Sequence, residues 1–293
     1  MSTTSTKYTK STKSTRSTSS TSISFAAGAV LLISVITIAA VFGILLLQET
    51  PSPTSQGDPT PQYENIPLRS IFDDIYKYSR WQDKGDGSGE GSEPANTLCL
   101  RRILTELVQQ EDVATFVDFP CGACKWTAVW LDELKRLGIR IRYFGFDLTD
   151  VSLERAQKNL GPLMSFHEIY LMQADLTHPS SVELVPRQID LFMCRDTLQH
   201  LSYDMIFKAL KNIFNMDARI ILLGSYVHGT NRRIRNGDYF DINLAAQPFN
   251  MHPAIIYNEV AGHKYLFRYT PKVGAGTPDG KTVCFATRAN PQS

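Results

Sequence analysis

The chain has 293 residues, and its 30 Lys plus Arg against 29 Asp plus Glu give a net charge of +1, which excludes a polybasic nucleic-acid binder as a reading of the whole protein. At 43% hydrophobic and 20% charged it can bury a full core, but the average conceals unlike segments. Residues 1–24 are almost all Ser and Thr with Lys7, Lys10, Lys13 and Arg16, a composition that cannot offset its own ordering entropy and predicts a disordered tail.

From Phe25 to Leu47 the chain runs 23 residues without a charge. At about 1.5 Å per residue that is roughly 34 Å of helix, enough to cross a bilayer. A transmembrane signal-anchor is favoured over a cleaved signal peptide, because a signal's apolar region is shorter and no clear small-x-small cleavage site follows. Four basic residues precede the span and none follows it until Arg69, so the positive-inside bias places the N-terminus in the cytoplasm. The expected protein is a single-pass type II membrane protein with its folded domain on the lumenal or outer side, in an endomembrane compartment such as the Golgi. Residues 48–65 read as a Pro/Ser/Thr linker and 66–293 as the folded domain. Without the tail's four charges the remainder carries 26 basic against 29 acidic residues, which again disfavours a nucleic-acid partner. Five cysteines at 99, 121, 124, 194 and 284 form no dense, even disulfide pattern.

Within the domain, Ile71, Ile75 and Tyr78 fall at helical spacing, and the glycine-rich QDKGDGSGEGSEP that follows predicts a loop, either spacer or lid. Leu100, Ile103, Leu104 and Leu107 mark a helix over 97–110. An alternation then begins: strand 115–119, helix KWTAVWLDELKRL, strand IRIRYFGF, helix VSLERAQKNL, strand EIYLMQ, strand 189–194, helix YDMIFKALKNIF, strand 218–224. Apolar strands separated by amphipathic helices are βαβ units and demand a mostly parallel sheet covered on both faces, a doubly wound α/β domain. At the end, 263–270 and 281–288 read as two strands with no helix between them, an antiparallel hairpin turning through Asp279-Gly280.

In such a sheet the ligand lies beyond the carboxyl ends of the strands. Those ends carry Asp118 with PCGAC, Asp147, Asp175, and CRDTLQH at 194–200. A dinucleotide would require a Gly-x-Gly-x-x-Gly turn, but Pro120 and Cys124 stand where small glycines are wanted and Gly122 alone remains, so a nicotinamide oxidoreductase is disfavoured. Asp147, 29 positions beyond Asp118, is placed to accept from both hydroxyls of a ribose. Equally, Asp147 or Asp150 could cap the next helix.

The words SGEGSEPANT, FVDFPCGACKW, FGFDL, QADLT, DLFMCRDTLQHLSYDMIFKALKNI and GDYFDINLAAQPFNMHP, in this order, resemble those of a largely uncharacterised family of class I S-adenosylmethionine-dependent methyltransferases. The resemblance covers about Ile66 to Arg288. It implies a Rossmann-like, seven-stranded sheet in the order 3-2-1-4-5-7-6 with an antiparallel final pair, and S-adenosyl-L-methionine as cofactor. Carried over residue by residue, it puts Asp118 and Gly122 at the methionine end, Asp147 at the ribose, Asp175 and Leu176 at the adenine, and Arg195 and Asp196 beside the transferable methyl, with Trp126 a further cofactor contact and Asp196 a candidate catalytic residue. The acceptor, an O or N nucleophile on a glycan, peptide, lipid or small metabolite, is not specified. Two departures stand out: Ala123 where the family has an acidic residue, and Tyr239-Phe240-Asp241 where it has Trp-Arg-Pro. They motivate the rival reading, a catalytically inactive binding protein on the same fold.

Four further features complete the candidates. Cys121 and Cys124 form a C-x-x-C without a second ligand pair for zinc, and the cofactor loop already accounts for their surroundings, so neither redox nor metal chemistry is expected of them. His200, four residues after Asp196, is a candidate general base or a packed helix-start histidine. Tyr239, Asn243 and Phe249 occupy a stretch suited to acceptor recognition, or to an ordinary surface loop. The basic run HGTNRRIR at 228–235 reads as solvated.

Overall fold

The computed structural model describes residues 66–81, 87–260 and 263–271. The predicted tail, the membrane span over 25–47, the linker, Cys284 and the strand over 281–288 lie outside these residues. No helix among the described residues is long and apolar enough to cross a membrane.

The elements follow the predicted alternation: α1 (Leu68–Lys77), α2 (Leu98–Gln110), β1 (Thr115–Asp118), α3 (Lys125–Arg136), β2 (Arg142–Asp147), α4 (Asp150–Leu160), β3 (Glu168–Gln173), α5 (Ser181–Leu184), β4 (Leu191–Cys194), α6 (Tyr203–Asn215), β5 (Ile220–Ser225), β6 (Ile255–Val260) and β7 (Lys264–Tyr269). They build one seven-stranded sheet in the order β3-β2-β1-β4-β5-β7-β6. The first five strands in that order are parallel, and β7 runs antiparallel to both its neighbours. This is the order that the class I methyltransferase resemblance implied.

The closing hairpin differs from the one predicted. β7 pairs with Ile255–Val260, upstream of it, a strand not predicted, while the expected partner over 281–288 lies outside the described residues. Residues 255–260, IIYNEV, hide their strand character because Asn258 and Glu259 interrupt the apolar alternation. Glu259 is nonetheless only 1% exposed, held inside by a charge partner described below.

The period-2 alternation of the buried strands divides the core between the sheet's two faces. On β4, Phe192 and Cys194 join a core with Phe119, Phe146 and Ile206, while Leu191 and Met193 join another with Leu104, Trp130 and Leu131. α2 supplies the second core through Leu100, Ile103, Leu104 and Leu107, a stripe at helical spacing. Trp130 is fully buried there, and its indole N–H donates to Thr105 Oγ1 at 3.1 Å, so its polar edge is satisfied. With both faces covered, the carboxyl ends of the parallel strands and the loops after them are left to form a site.

Candidate active site

A cleft opens at those carboxyl ends, with about 830 Å³ of empty space including its mouth. Asp118, Gly122, Trp126, Asp147, Asp175, Leu176, Arg195 and Asp196 all line it. The structure thus brings every predicted cofactor residue to one place, together with Asp196.

Asp118 ends β1 and is 2% exposed. Its Oδ2 accepts from the Tyr143 hydroxyl at 2.9 Å. Burial pushes its carboxyl up to about 7, the dominant cause, against the opposing pull of Tyr143 and Arg195. The loop after it turns at Gly122, whose φ of +58° lies in the left-handed region and where a Cβ would come within 3.3 Å of Ser88 Oγ and Tyr76 Oη. A glycine there keeps the backbone bare toward the cleft.

Asp147 ends β2 and is 3% exposed. Its Oδ2 accepts from Gly122 N–H at 2.9 Å and its Oδ1 from Thr149 N–H at 3.1 Å, so the carboxylate ties the β1 loop to the β2 loop while lining the cleft. Burial raises this carboxyl as well. The cap of α4 is neither Asp147 nor Asp150: Thr149 accepts from Ser152 N–H, and Asp150 pairs with Arg69 on the surface. Beyond β3, Asp175 Oδ1 accepts from the Thr177 N–H at 2.8 Å and hydroxyl at 2.7 Å, which fixes the turn that brings Leu176 into the wall.

After β4 lies a charge cluster only half visible in the sequence. Arg195 donates through Nε to Glu259 Oε1 at 2.9 Å, through Nη2 to the Gly91 carbonyl at 2.8 Å, and pairs with Asp196 at 2.8 Å. Lys264, 5% exposed, donates to Asp196 Oδ2 and lies 3.4 Å from Glu259 Oε1. Burial alone would raise the Asp196 carboxyl, but Arg195 and Lys264 outweigh it and hold the group well below the usual carboxylate range. A carboxylate so thoroughly paired is a poor base. Asp196 was read as catalytic; its surroundings suit an electrostatic and orienting part better.

His200 does not line the cleft. Its Nδ1 faces the Asp238 carbonyl at 3.0 Å, and since a carbonyl only accepts, the proton sits on Nδ1. Burial lowers its pKa, favouring the neutral ring. Trp81, which does line the cleft, stacks on it with centroids 4.5 Å apart, and Tyr239 approaches its ring at 5.5 Å. This matches the packed-histidine alternative in geometry.

The three residues assigned to the acceptor separate. Tyr239 is 45% exposed and donates to Asp241 Oδ1; burial and that bond push its phenol up to about 12. Asn243 spends its side chain inside its own loop, donating to the Val227 carbonyl at 2.9 Å and accepting from Ala245 N–H at 3.1 Å. Phe249 is buried against Tyr203 and Phe207 on α6. None of Tyr239, Asn243 and Phe249 lines the cleft.

Sequence reasoning missed Tyr143, Glu259, Lys264 and Trp81. Glu259 and Lys264 left a faint signal, opposite charges inside otherwise apolar strands. Cys121, Cys124 and Cys194 are buried thiols outside any disulfide, and burial pushes the Cys121 thiol up, against a redox role. No cluster of His, Cys, Asp and Glu able to hold a metal exists among the described residues.

No protein-family model and no curated protein matches the chain. Solved structures do. A protein from Listeria monocytogenes described as a class I S-adenosylmethionine-dependent methyltransferase is 13% identical, with 74% of each chain covered and a TM-score of 0.49. Magnesium protoporphyrin IX methyltransferase from Synechocystis, solved with bound S-adenosylmethionine, is 14% identical over 60% of this chain and 82% of its own, at a TM-score of 0.41. The small RNA methyltransferase HEN1 is 14% identical over 62% of this chain and 26% of its own, at 0.45. Likenesses this distant carry no argument about activity.

Proposed function

We propose that the chain is a membrane-anchored S-adenosylmethionine-dependent methyltransferase acting on an O or N nucleophile. The observation that carries this reading is the convergence of three carboxylates, Asp118, Asp147 and Asp175, from successive strand ends onto one cleft around the bare backbone of Gly122. The donor set fits the cofactor. Its ribose hydroxyls need a buried acceptor, which Asp147 provides, and its cationic centres need negative charge, which Asp118 provides on ionising. When bound, the cofactor supplies an electrophilic methyl group on a sulfonium. The chain's part is positioning: Asp147 locks the two loops, and Arg195 and Asp196 order the far wall, an arrangement in which oriented reactants can gain about 7–11 kcal/mol.

Titration calorimetry on the full chain in detergent tests this. S-adenosylmethionine should bind, and Asp147→Ala should weaken it by about tenfold or more through the lost charge-assisted bonds; no binding to the wild-type chain overturns the reading.

A second reading is favoured by a specific observation: Asp196 is neutralised by Arg195 and Lys264, and His200 does not line the cleft, so neither is placed to act there as a base. A chain that binds cofactor yet releases no S-adenosylhomocysteine with any fractionated extract is a binding protein on this fold.

A further inference from the structure

Residues 87–97 form a strap of two short 3-10 turns, Glu90–Ser92 and Pro94–Asn96, and Ser88 and Ser92 within it line the cleft. The strap is pinned at several points. Ala123 N–H donates to Ser88 Oγ at 3.2 Å, Lys125 pairs with Glu93 at 2.5 Å, and Arg101 donates to the Pro94 carbonyl at 2.6 Å. A further pin is Arg195 on the Gly91 carbonyl, and Arg195 belongs to the buried four-charge array. Gly91 lies so close to that array that a Cβ would fall 2.7 Å from Asp196 Oδ2.

Glu259 and Lys264 do not line the cleft, yet both bear on Arg195 and Asp196, which do. The array holds two acids and two bases, all largely buried, and so is neutral as a set. Removing one buried charge leaves its partner uncompensated, the costly case for groups cut off from water. Without the Glu259 charge, Arg195 and Lys264 would compete for the single carboxylate of Asp196, and Arg195 could no longer hold both its ion pair and the Gly91 carbonyl in one geometry.

We propose that Glu259 and Lys264 are positioning residues: by balancing Arg195 and Asp196 they latch the 87–97 strap onto the cleft and set how long a cofactor stays. The residence-time half rests on the methyltransferase reading; the latch itself does not.

Hydrogen exchange on the full chain without ligand tests the latch. The amides of Ser92, Glu93, Asn96 and Thr97 are bonded within the strap and report its closure. In Glu259→Gln they should exchange about tenfold faster or more, as expected when a charged hydrogen bond is lost, with β1 and β4 still protected. The double variant Glu259→Gln, Lys264→Met restores neutrality and should recover much of the protection. Unchanged strap exchange in the single variant, loss spread evenly over β1 and β4, or a double variant no better protected than the single one overturns the latch. S-adenosylhomocysteine should also leave Glu259→Gln about tenfold faster than wild type; equal off-rates overturn the residence-time role. A wild-type chain that binds neither S-adenosylmethionine nor S-adenosylhomocysteine refutes the methyltransferase reading instead, and exchange still decides the latch.

Discussion

Asp118 is the residue whose surroundings make the sharpest demand. It lies in a cleft with a second buried carboxylate, Asp147, and the facing cation, Arg195, is already committed to Glu259 and Asp196. Its carboxyl titrates near 7, above the ordinary 3.8, so between those values the folded chain holds a proton that the unfolded chain has lost. That contribution to stability is therefore full below the ordinary carboxylate range and is lost as pH rises to about 7. A cationic ligand has the opposite preference, since it favours the ionised carboxylate. S-adenosylmethionine affinity should accordingly climb with pH and level off above about 7, releasing a proton on binding, measurable by calorimetry in buffers of different ionisation enthalpy. Asp118→Asn should flatten the profile. Tyr143→Phe removes the hydrogen bond that favours the charged form, so its midpoint should move up; a midpoint that stays put would show that Tyr143 does not tune the group. Asp118, Asp147 and Asp175 were readable in the sequence because an acid directly after an apolar run marks a strand end. Tyr143 was not, because a tyrosine inside a strand reads as core, and Asn243 misled because its amide serves its own loop.

At the level of elements, the first five strands and the longer helices between them could be read from period and punctuation, the short α5 could not, and the missed strand β6 shows the limit of that method. β6 carries Glu259 on its buried side, so its pattern makes sense only once Arg195, 64 positions away, is known to meet it. Local periodicity contains no such information. A milder non-local constraint operates in β2, where Gly145 sits in mid-strand. A Cβ there would meet Leu171 Cδ2 at 2.8 Å and Cys121 Sγ at 3.1 Å, so the neighbouring strand and the cofactor loop both close on the bare backbone. Gly145→Ala should destabilise the fold by about 1–3 kcal/mol through overpacking. Thermal unfolding would reveal it, and because Cys121 lines the cleft, cofactor affinity should fall as well. A variant as stable as wild type would mean that the strand spacing relaxes at no cost.

For the whole molecule, the folded domain and the apolar stretch before it answer to different physics. The sheet order defines the domain without reference to a membrane, whereas the proposed anchor over 25–47 and its orientation rest on hydropathy and flanking charges, properties of sequence alone. Four basic residues before Phe25 and none between Leu47 and Arg69 make the asymmetry complete over the roughly 15–20 flanking residues that decide topology. A type II orientation sets the charge rule against metabolic supply, because a lumenal methyltransferase requires its cofactor to be carried across the membrane and a cytosolic one does not. The charge asymmetry is the stronger consideration, since orientation is fixed during insertion and cannot respond to where a ligand is abundant. In sealed microsomes, an epitope placed after Ser293 should therefore resist protease until detergent is added. Digestion without detergent would place the domain in the cytosol and overturn the orientation, while recovery of the epitope in the soluble fraction after alkaline extraction would remove the anchor altogether.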